Sequence, residues 1–321
     1  MSNMKIVVTG AAGFIGSHLS ERLKSLGHDV IGIDSFNTYY NPELKKLNAK
    51  DLEEKGISIE KRDLVTDDVS DVIQGADAIF HLAAQPGISS TTPFEHYLNN
   101  NFIATNNLVE AARSAGTKKF INIATSSIYG AHATEDETTA PKPTSNYGVT
   151  KLAAEQLVLS YFRDKGFPAA SARLFSVYGE RERPEKLYPK LIDAILNDKP
   201  FPLFEGSQEH LRSYTYVGDI IDGLVLILDN FEKSAGEIFN LGTDQAITTG
   251  EGIKIVEDVL GKKAVLDIKP KRPGDQKETH ACIDKARRIL GYNPVTTPQV
   301  GLKKEVDWFK EKIWKKIDLY L

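Results

Sequence analysis

Residues 5–16 read "KIVVTGAAGFIG", an apolar β-branched run that meets three glycines spaced three apart and continues into a helical pattern. A glycine at 10 lets the chain turn tightly at the end of a strand. A glycine at 13 lets backbone N–H groups approach an anion, and one at 16 lets a helix pack closely on the sheet. The helix that starts here turns the positive end of its dipole toward the same anion. The next apolar run, "DVIGID", ends in Asp34, 18 residues beyond Gly16. A carboxylate there accepts hydrogen bonds from ribose hydroxyls and repels a 2′-phosphate, and no arginine adjoins it. The pattern points to a dinucleotide, NAD rather than NADP. Asp63, in "KRDL", follows a short strand-like stretch and is placed either to cap the adenine or to stand as a solvated turn residue.

Strand-like runs at 5–10, 29–34, 78–84 and 120–127 are apolar on both faces, as strands covered by helices must be. Helical spacing appears between them at 14–26, 97–115 and 147–164. This alternation predicts an α/β fold, a Rossmann-type doubly wound parallel sheet with right-handed crossovers. Beyond about residue 172 the pattern loosens, with prolines at 184, 189, 200 and 202 and a returning helix at 220–230. The expected division is a dinucleotide-binding domain over 1–172, rejoined by part of 214–245, and a smaller α/β C-terminal substrate domain over 173–321. The closing segment repeats apolar residues at Leu302, Val306, Phe309, Ile313 and Ile317, amid six lysines and four acids between 302 and 318. That stripe predicts a helix closing the second domain, in preference to one lying on a membrane.

The net charge of −4 gives no reason to expect nucleic acid as a partner. Cys282 is the single cysteine, so the chain holds no internal disulfide and no thiolate metal cluster, and no metal is expected. Glycines break the apolar start before it can serve as a signal peptide, and no stretch has the length of a membrane span. A soluble, cytoplasmic protein is the expectation.

Two further stretches carry chemistry. "IATSSIYG", 123–130, gathers Thr125, Ser126, Ser127 and Tyr129 with no acid and no histidine. "SNYGVTKLAAE" sets Tyr147 and Lys151 one helical turn apart on the same face. A tyrosine ordinarily ionises near pH 10, too high for a general base at neutral pH. A neighbouring ammonium and a cationic nicotinamide ring both favour the phenolate, so Tyr147 is expected to be acidified.

With "TGAAGFIG", Asp34, "HLAA" (81–84), "TSSIYG" and "YGVTK" together, the chain resembles the extended short-chain dehydrogenase/reductase family. More narrowly, it resembles the NAD-dependent nucleotide-sugar epimerases and dehydratases, over about residues 4–308. The resemblance implies cofactor contacts from Gly10, Gly13, Phe14, Ile15, Gly16, Asp34, Asp63, Leu64, Leu82, Ala83 and Ala84, with Tyr147 and Lys151. It implies catalysis by Tyr147, Lys151 and Thr125, and an NAD that stays bound and is recycled in each turnover. Dehydratases of this family carry an acid pair where this chain has Ser126 and Ser127, and decarboxylases carry Glu at the place of Ser127. Hydroxyls alone suit an epimerase, whose oxidation and re-reduction at one carbon need a single proton relay.

The resemblance also implies substrate contacts. Arg212 and Arg272 clamp a diphosphate, Phe204 of "FPLF" lies against a uracil, and Arg183 and Asp275 help anchor the substrate. Ser126, Ser127 and Ser176 face the sugar. Glu180 replaces a customary proline and Pro86 a customary alanine. These details lean toward carbon-4 epimerisation of UDP-glucuronate to UDP-galacturonate. UDP-glucose and UDP-N-acetylglucosamine are the alternatives, followed by a dehydratase or decarboxylase and by a silent NAD-binding regulator. A homodimer through the helices at 97–115 and 147–164 is expected.

Overall fold

The structure, a computed structural model, describes residues 3–89, 91–130, 133–270 and 278–319. Its centre is a seven-stranded, fully parallel sheet. Strands β1 (Lys5–Thr9), β2 (Asp29–Asp34), β3 (Ser58–Lys61), β4 (Ala78–His81), β5 (Lys119–Thr125) and β6 (Ala169–Leu174) are joined by a seventh, Ile238–Leu241. Running across the sheet, the order is the seventh strand, β6, β5, β4, β1, β2 and β3. Succession therefore reverses between β1 and β4, and a crevice opens at their carboxyl ends, where Thr9 pairs with His81. Ile6, Val7, Val8 and Thr9 are all buried, so β1 is covered on both faces.

Helices α1 (Phe14–Ser25), α2 (Pro42–Glu53), α3 (Ser70–Ile73), α4 (Phe94–Tyr97), α5 (Ala104–Ser114) and α6 (Asn146–Lys165) make the crossovers. Several local features differ from expectation; the strand expected at 78–84 ends at His81. Strand β5 stops at Thr125, and Ser126–Tyr129 forms a 3₁₀ turn because the Thr125 hydroxyl accepts the Ser127 N–H at 3.2 Å and ends the ladder. The helix expected at 97–115 is broken by a π turn, Leu98–Ile103. Within that turn the Asn101 side chain accepts the Gln85 N–H at 2.7 Å and donates to the Thr150 hydroxyl at 3.0 Å, tying the loop after β4 to α6. Strand β6, "AASARL", lacks the β-branched enrichment by which the other strands are recognised and is held by its two neighbours.

The second half builds small sheets. Pro200–Phe204 pairs with Val265–Lys269, and Leu211–Arg212 lies between Ile247–Thr248 and Glu278–Thr279. Val177–Tyr178 pairs with Thr215–Tyr216. Between these pieces the chain returns to the large sheet, with helix Val217–Asp229 packed against α1 and Ile238–Leu241 paired with β6. The closing helix, Pro298–Trp308, runs into a π turn at Phe309–Ile313, and Leu302, Val306, Phe309 and Ile313 are buried in the core. The stripe thus faces protein. Among the described residues no helix is long and apolar enough to cross a membrane.

One buried ion pair ties α6 to the sheet. Glu155 accepts two hydrogen bonds from Arg173 of β6, at 2.9 and 2.7 Å, and Arg173 donates a third to the Tyr129 hydroxyl at 2.8 Å. Tyr129 in turn donates to Asn240 of the seventh strand at 2.9 Å. Removing one partner strands the other charge in a dry interior. Glu155→Ala is expected to cost about 3–5 kcal/mol in urea unfolding. Glu155→Leu combined with Arg173→Leu should recover most of that loss.

Candidate active site

The crevice at the β1/β4 switch point opens into a cleft of about 740 Å³, within the range of small-molecule sites. At its cofactor end the chain leaves β1 through Gly10 at φ +70°, and the Gly10 and Ala11 N–H groups donate to the Ile33 carbonyl at 2.7 and 3.2 Å. A Cβ on Gly10 would stand 2.9 Å from the Ala83 nitrogen, and one on Gly16 only 2.1 Å from the Gly10 carbonyl oxygen. Both positions require glycine. Gly13 caps α1 and leaves the first N–H groups of the helix facing the cleft, a cradle shaped for a pyrophosphate.

Asp34 sits at the far side of this cradle, buried, accepting the Ala12 N–H at 3.2 Å and the Phe36 N–H at 2.8 Å. Sequence inspection placed no cation beside it. The fold does, because α2 brings the buried Lys45 ammonium to 3.3 Å from the Asp34 carboxylate and 3.1 Å from Asn37. Lys45 lies eleven residues on, and only the packing of α2 shows which lysine of "LKK" turns inward. Asp63, Leu64, Phe14 and Ile15 line the same end, joined by Arg62, Tyr39 and Tyr40.

The floor is a buried hydrogen-bonded chain. The Thr9 hydroxyl accepts the Leu82 and Ala83 N–H groups at 3.2 Å each and bonds His81 at 2.9 Å, and His81 bonds Thr105 at 2.9 Å on its other nitrogen. Burial, with the nearby Lys151, drives the imidazole down to about 3, so His81 is neutral. The histidine of "HLAA" holds the loop that carries Leu82, Ala83 and Ala84 into the cleft.

Across the cleft stands α6, capped by Ser145, which accepts the Gly148 N–H at 3.1 Å. A Cβ on Gly148 would meet the Ser127 carbonyl at 2.7 Å, so the glycine of "YGVTK" seats the helix on the hydroxyl turn. Tyr147 thereby stands beside Thr125, with Ser126 and Ser127 on the same cleft wall. The expected acidification of Tyr147 is not built into the protein alone. Burial holds the phenol above its ordinary range, and the opposing influences are the Thr125 hydrogen bond and the charge of Arg183, not Lys151. Lys151 is itself lowered to about 8 by burial, partly offset by Glu155.

Ser176, Arg183 and Arg212 line the remaining end, with Lys186 and Glu182. Arg183 forms an ion pair with Glu185 at 2.8 Å and lies over the Tyr39 ring. Glu180, in place of the customary proline, accepts from the Tyr216 hydroxyl at 3.1 Å, and its backbone carbonyl accepts from His18 at 2.8 Å. Pro86 lines the cleft. Phe204 stands apart from this lining, at the end of its strand and 36% exposed. Arg272 and Asp275 lie outside the described residues.

These features define a class: a doubly wound dinucleotide fold with a tyrosine–lysine helix across the cleft from a phosphate cradle. Residues 6–242 match the model of the NAD dependent epimerase/dehydratase family. A Bacillus subtilis (strain 168) relative named uncharacterized UDP-glucose epimerase YtcB is 39% identical, covering 94% of this chain and 97% of its own. UDP-glucuronate 4-epimerase 4 of Arabidopsis thaliana is 35% identical, covering 96% of this chain and 76% of its own. The crystal structure of the UDP-glucuronic acid 4-epimerase from Bacillus cereus, in complex with UDP-glucuronic acid and NAD, superposes with a TM-score of 0.90 at 38% identity. That match covers 96% of this chain and 99% of the other. The chain belongs to the NAD dependent epimerase/dehydratase family and is an NAD-dependent enzyme.

Gly10→Ala is expected to weaken NAD binding by at least about tenfold, because the methyl group pushes against the Ala83 backbone and shifts the cradle, and the left-handed turn costs a further 1–2 kcal/mol or so. Fluorescence titration with NAD measures it.

Proposed function

We propose that this enzyme is a UDP-sugar 4-epimerase and that its substrate is UDP-glucuronate, converted to UDP-galacturonate. The observation that carries this reading is the wall beside Tyr147. It is built from Thr125, Ser126 and Ser127 with no carboxylate among them, and the charge that acts on the phenol is Arg183. Elimination of water needs an acid and a base at the reacting carbons, whereas inversion at one carbon needs one proton relay.

Bound NAD supplies reversible two-electron oxidation at carbon 4 of the sugar. The glycine cradle and Asp34 fit the cofactor, since Gly10 and Gly16 let the strand end, the Ala83 loop and the start of α1 close up without a side chain between them. Tyr147 takes the proton from the 4-hydroxyl, directly or through Thr125, and later returns it to the other face. Lys151 stands one turn along α6, its ammonium able to hold the nicotinamide ribose. Arg183 and Arg212 hold the diphosphate end while the ring turns over, with Arg272 in the same role. The cofactor stays bound and is restored in each cycle. Phe204 serves the uracil only if the sugar nucleotide extends beyond the cleft lining, and Asp275 helps anchor the substrate in this reading.

A uronate oxidised at carbon 4 is a β-keto acid, which loses carbon dioxide when its C–C bond stands perpendicular to the carbonyl plane. Hydroxyls of Thr125, Ser126, Ser127 and Ser176 can grip the carboxylate and hold it out of that alignment. The Bacillus cereus and Arabidopsis relatives support the uronate. The name of the Bacillus subtilis relative favours UDP-glucose as the second reading, since serines also accommodate a neutral hydroxymethyl group. The division at residue 172, with part of 214–245 returning to the first domain, separates the two ligands' seats in this scheme. Exposed Ile103 and Val149, beside and on the helices expected to pair, support a homodimer.

Proton NMR of enzyme with NAD and each of UDP-glucuronate, UDP-glucose and UDP-N-acetylglucosamine decides the substrate. Conversion of the first alone is expected; conversion of UDP-glucose alone overturns the uronate assignment. Tyr147→Phe should lower kcat by about a thousandfold while NAD affinity is kept.

A further inference from the structure

The Asp34 carboxylate, at the end of β2, is almost fully committed to the protein. Its Oδ1 accepts the Phe36 N–H at 2.8 Å and the Lys45 ammonium at 3.3 Å, and its Oδ2 accepts the Ala12 N–H at 3.2 Å. A carboxylate has about four acceptor positions, so among the described residues one is left over, on Oδ2. The Lys45 ammonium has three N–H donors. One goes to Asp34 and one to the Asn37 side chain at 3.1 Å, so one is left over there as well. Both residues are buried, and both line the cofactor end of the cleft.

The chain is held firmly around this meeting. Phe36 takes φ +53°, a left-handed turn that carries Asn37 to the ammonium. On the other side α2 is capped by Asn41, which accepts the Glu43 N–H at 2.9 Å, and is tied to the cradle by Asn48, which donates to the Ala12 carbonyl at 2.9 Å. Lys45 lies between these anchors, 5.5 Å from the centre of the Tyr40 ring. One acceptor beside one donor is the complement of a hydroxyl, which gives one hydrogen and receives another. A phosphate dianion has no hydrogen to give and would meet the Oδ2 lone pair instead. Since Asp34 and Lys45 cancel in charge, that lone pair is what turns a 2′-phosphate away. A second cation, Arg62, lines the same end, its guanidinium donating to the Lys61 carbonyl at 3.2 Å and to Asp71 at 3.4 Å.

We propose that Lys45 is a cofactor-binding residue, its ammonium donating to the 2′-hydroxyl of the NAD adenosine ribose while that hydroxyl donates to Asp34. Lys45 is then also a phosphate-binding cation kept in check by its partner. The choice of NAD rests on the acceptor character of Asp34, and the cations for a 2′-phosphate already stand beside it. This inference concerns the cofactor and holds whichever sugar is converted.

Fluorescence titration of protein freed of dinucleotide tests it, with NAD, 2′-deoxy-NAD and NADP as probes. Lys45→Met should weaken NAD binding by about tenfold, the loss of one charge-assisted hydrogen bond. It should weaken 2′-deoxy-NAD binding by less than about twofold, because the contact has gone with the hydroxyl. Equal losses for the two ligands, or no loss for either, overturn the proposal. A purely structural role for Lys45 gives the equal losses. The second comparison starts from Asp34→Asn and also serves if Lys45→Met, with Asp34 left buried and unpaired, fails to fold. Asp34→Asn should bind NADP at least about tenfold more tightly than wild type, and adding Lys45→Met should cancel that gain. With circular dichroism showing these variants folded, NADP binding that does not improve, or that improves regardless of Lys45, equally overturns the proposal.

Discussion

The cleft is laid out from one close approach, that of Gly16 in α1 to the carbonyl of Gly10 at the end of β1. The space between them admits no side-chain carbon, a Cβ on Gly16 falling 2.1 Å from that oxygen. With α1 drawn so close, its first N–H groups face the crevice at the β1/β4 switch point, and Asp34 lies across from them. The Gly10 and Ala11 amides are tied to Ile33, one residue before Asp34, so the glycine turn and the Asp34 carboxylate are fixed as one unit. A dinucleotide held there has its reactive end directed along the cleft toward α6.

The opposite wall follows the same logic. Gly148 seats α6 on the Ser127 carbonyl, and Glu155, two turns along the helix, is locked to Arg173 of β6. Arg173 also holds Tyr129, the residue that closes the hydroxyl turn. Tyr147, Lys151 and Thr125 are therefore carried by a rigid assembly of helix, strand and turn, and not by a loop. Rigid placement brings a cost in the protonation state. Burial keeps the Tyr147 phenol protonated and depresses the Lys151 ammonium, so the protein alone does not favour the phenolate. The positive charge of an oxidised nicotinamide is what such a site is built to receive.

Much of the fold and the cofactor end of the site was legible because their signals are local. Strand and helix periods, the glycine spacing and the Tyr147–Lys151 turn are each contained in a short stretch of chain. Strand β6 was not legible, since "AASARL" owes its conformation to the strands on either side. The π turn at Leu98–Ile103 was hidden inside a helical pattern that its extra residue only slightly shifts. Asn101 was passed over for the same reason, although it joins two walls of the site. At the substrate end, Arg183 and Arg212 come to the cleft as the motifs suggested, whereas Phe204 does not line it.

By itself the sequence determined what a short stretch of backbone can do: turn where only glycine is allowed, start a helix at a phosphate, and set a phenol one turn from an amine. Tertiary structure alone decided which charges meet. Lys45 comes to Asp34 through the packing of α2, and Arg173 to Glu155 through a sheet neighbour. A charged residue's partner and its distance from water are properties of the packed interior. In that low-dielectric setting they, more than residue type, govern protonation and position.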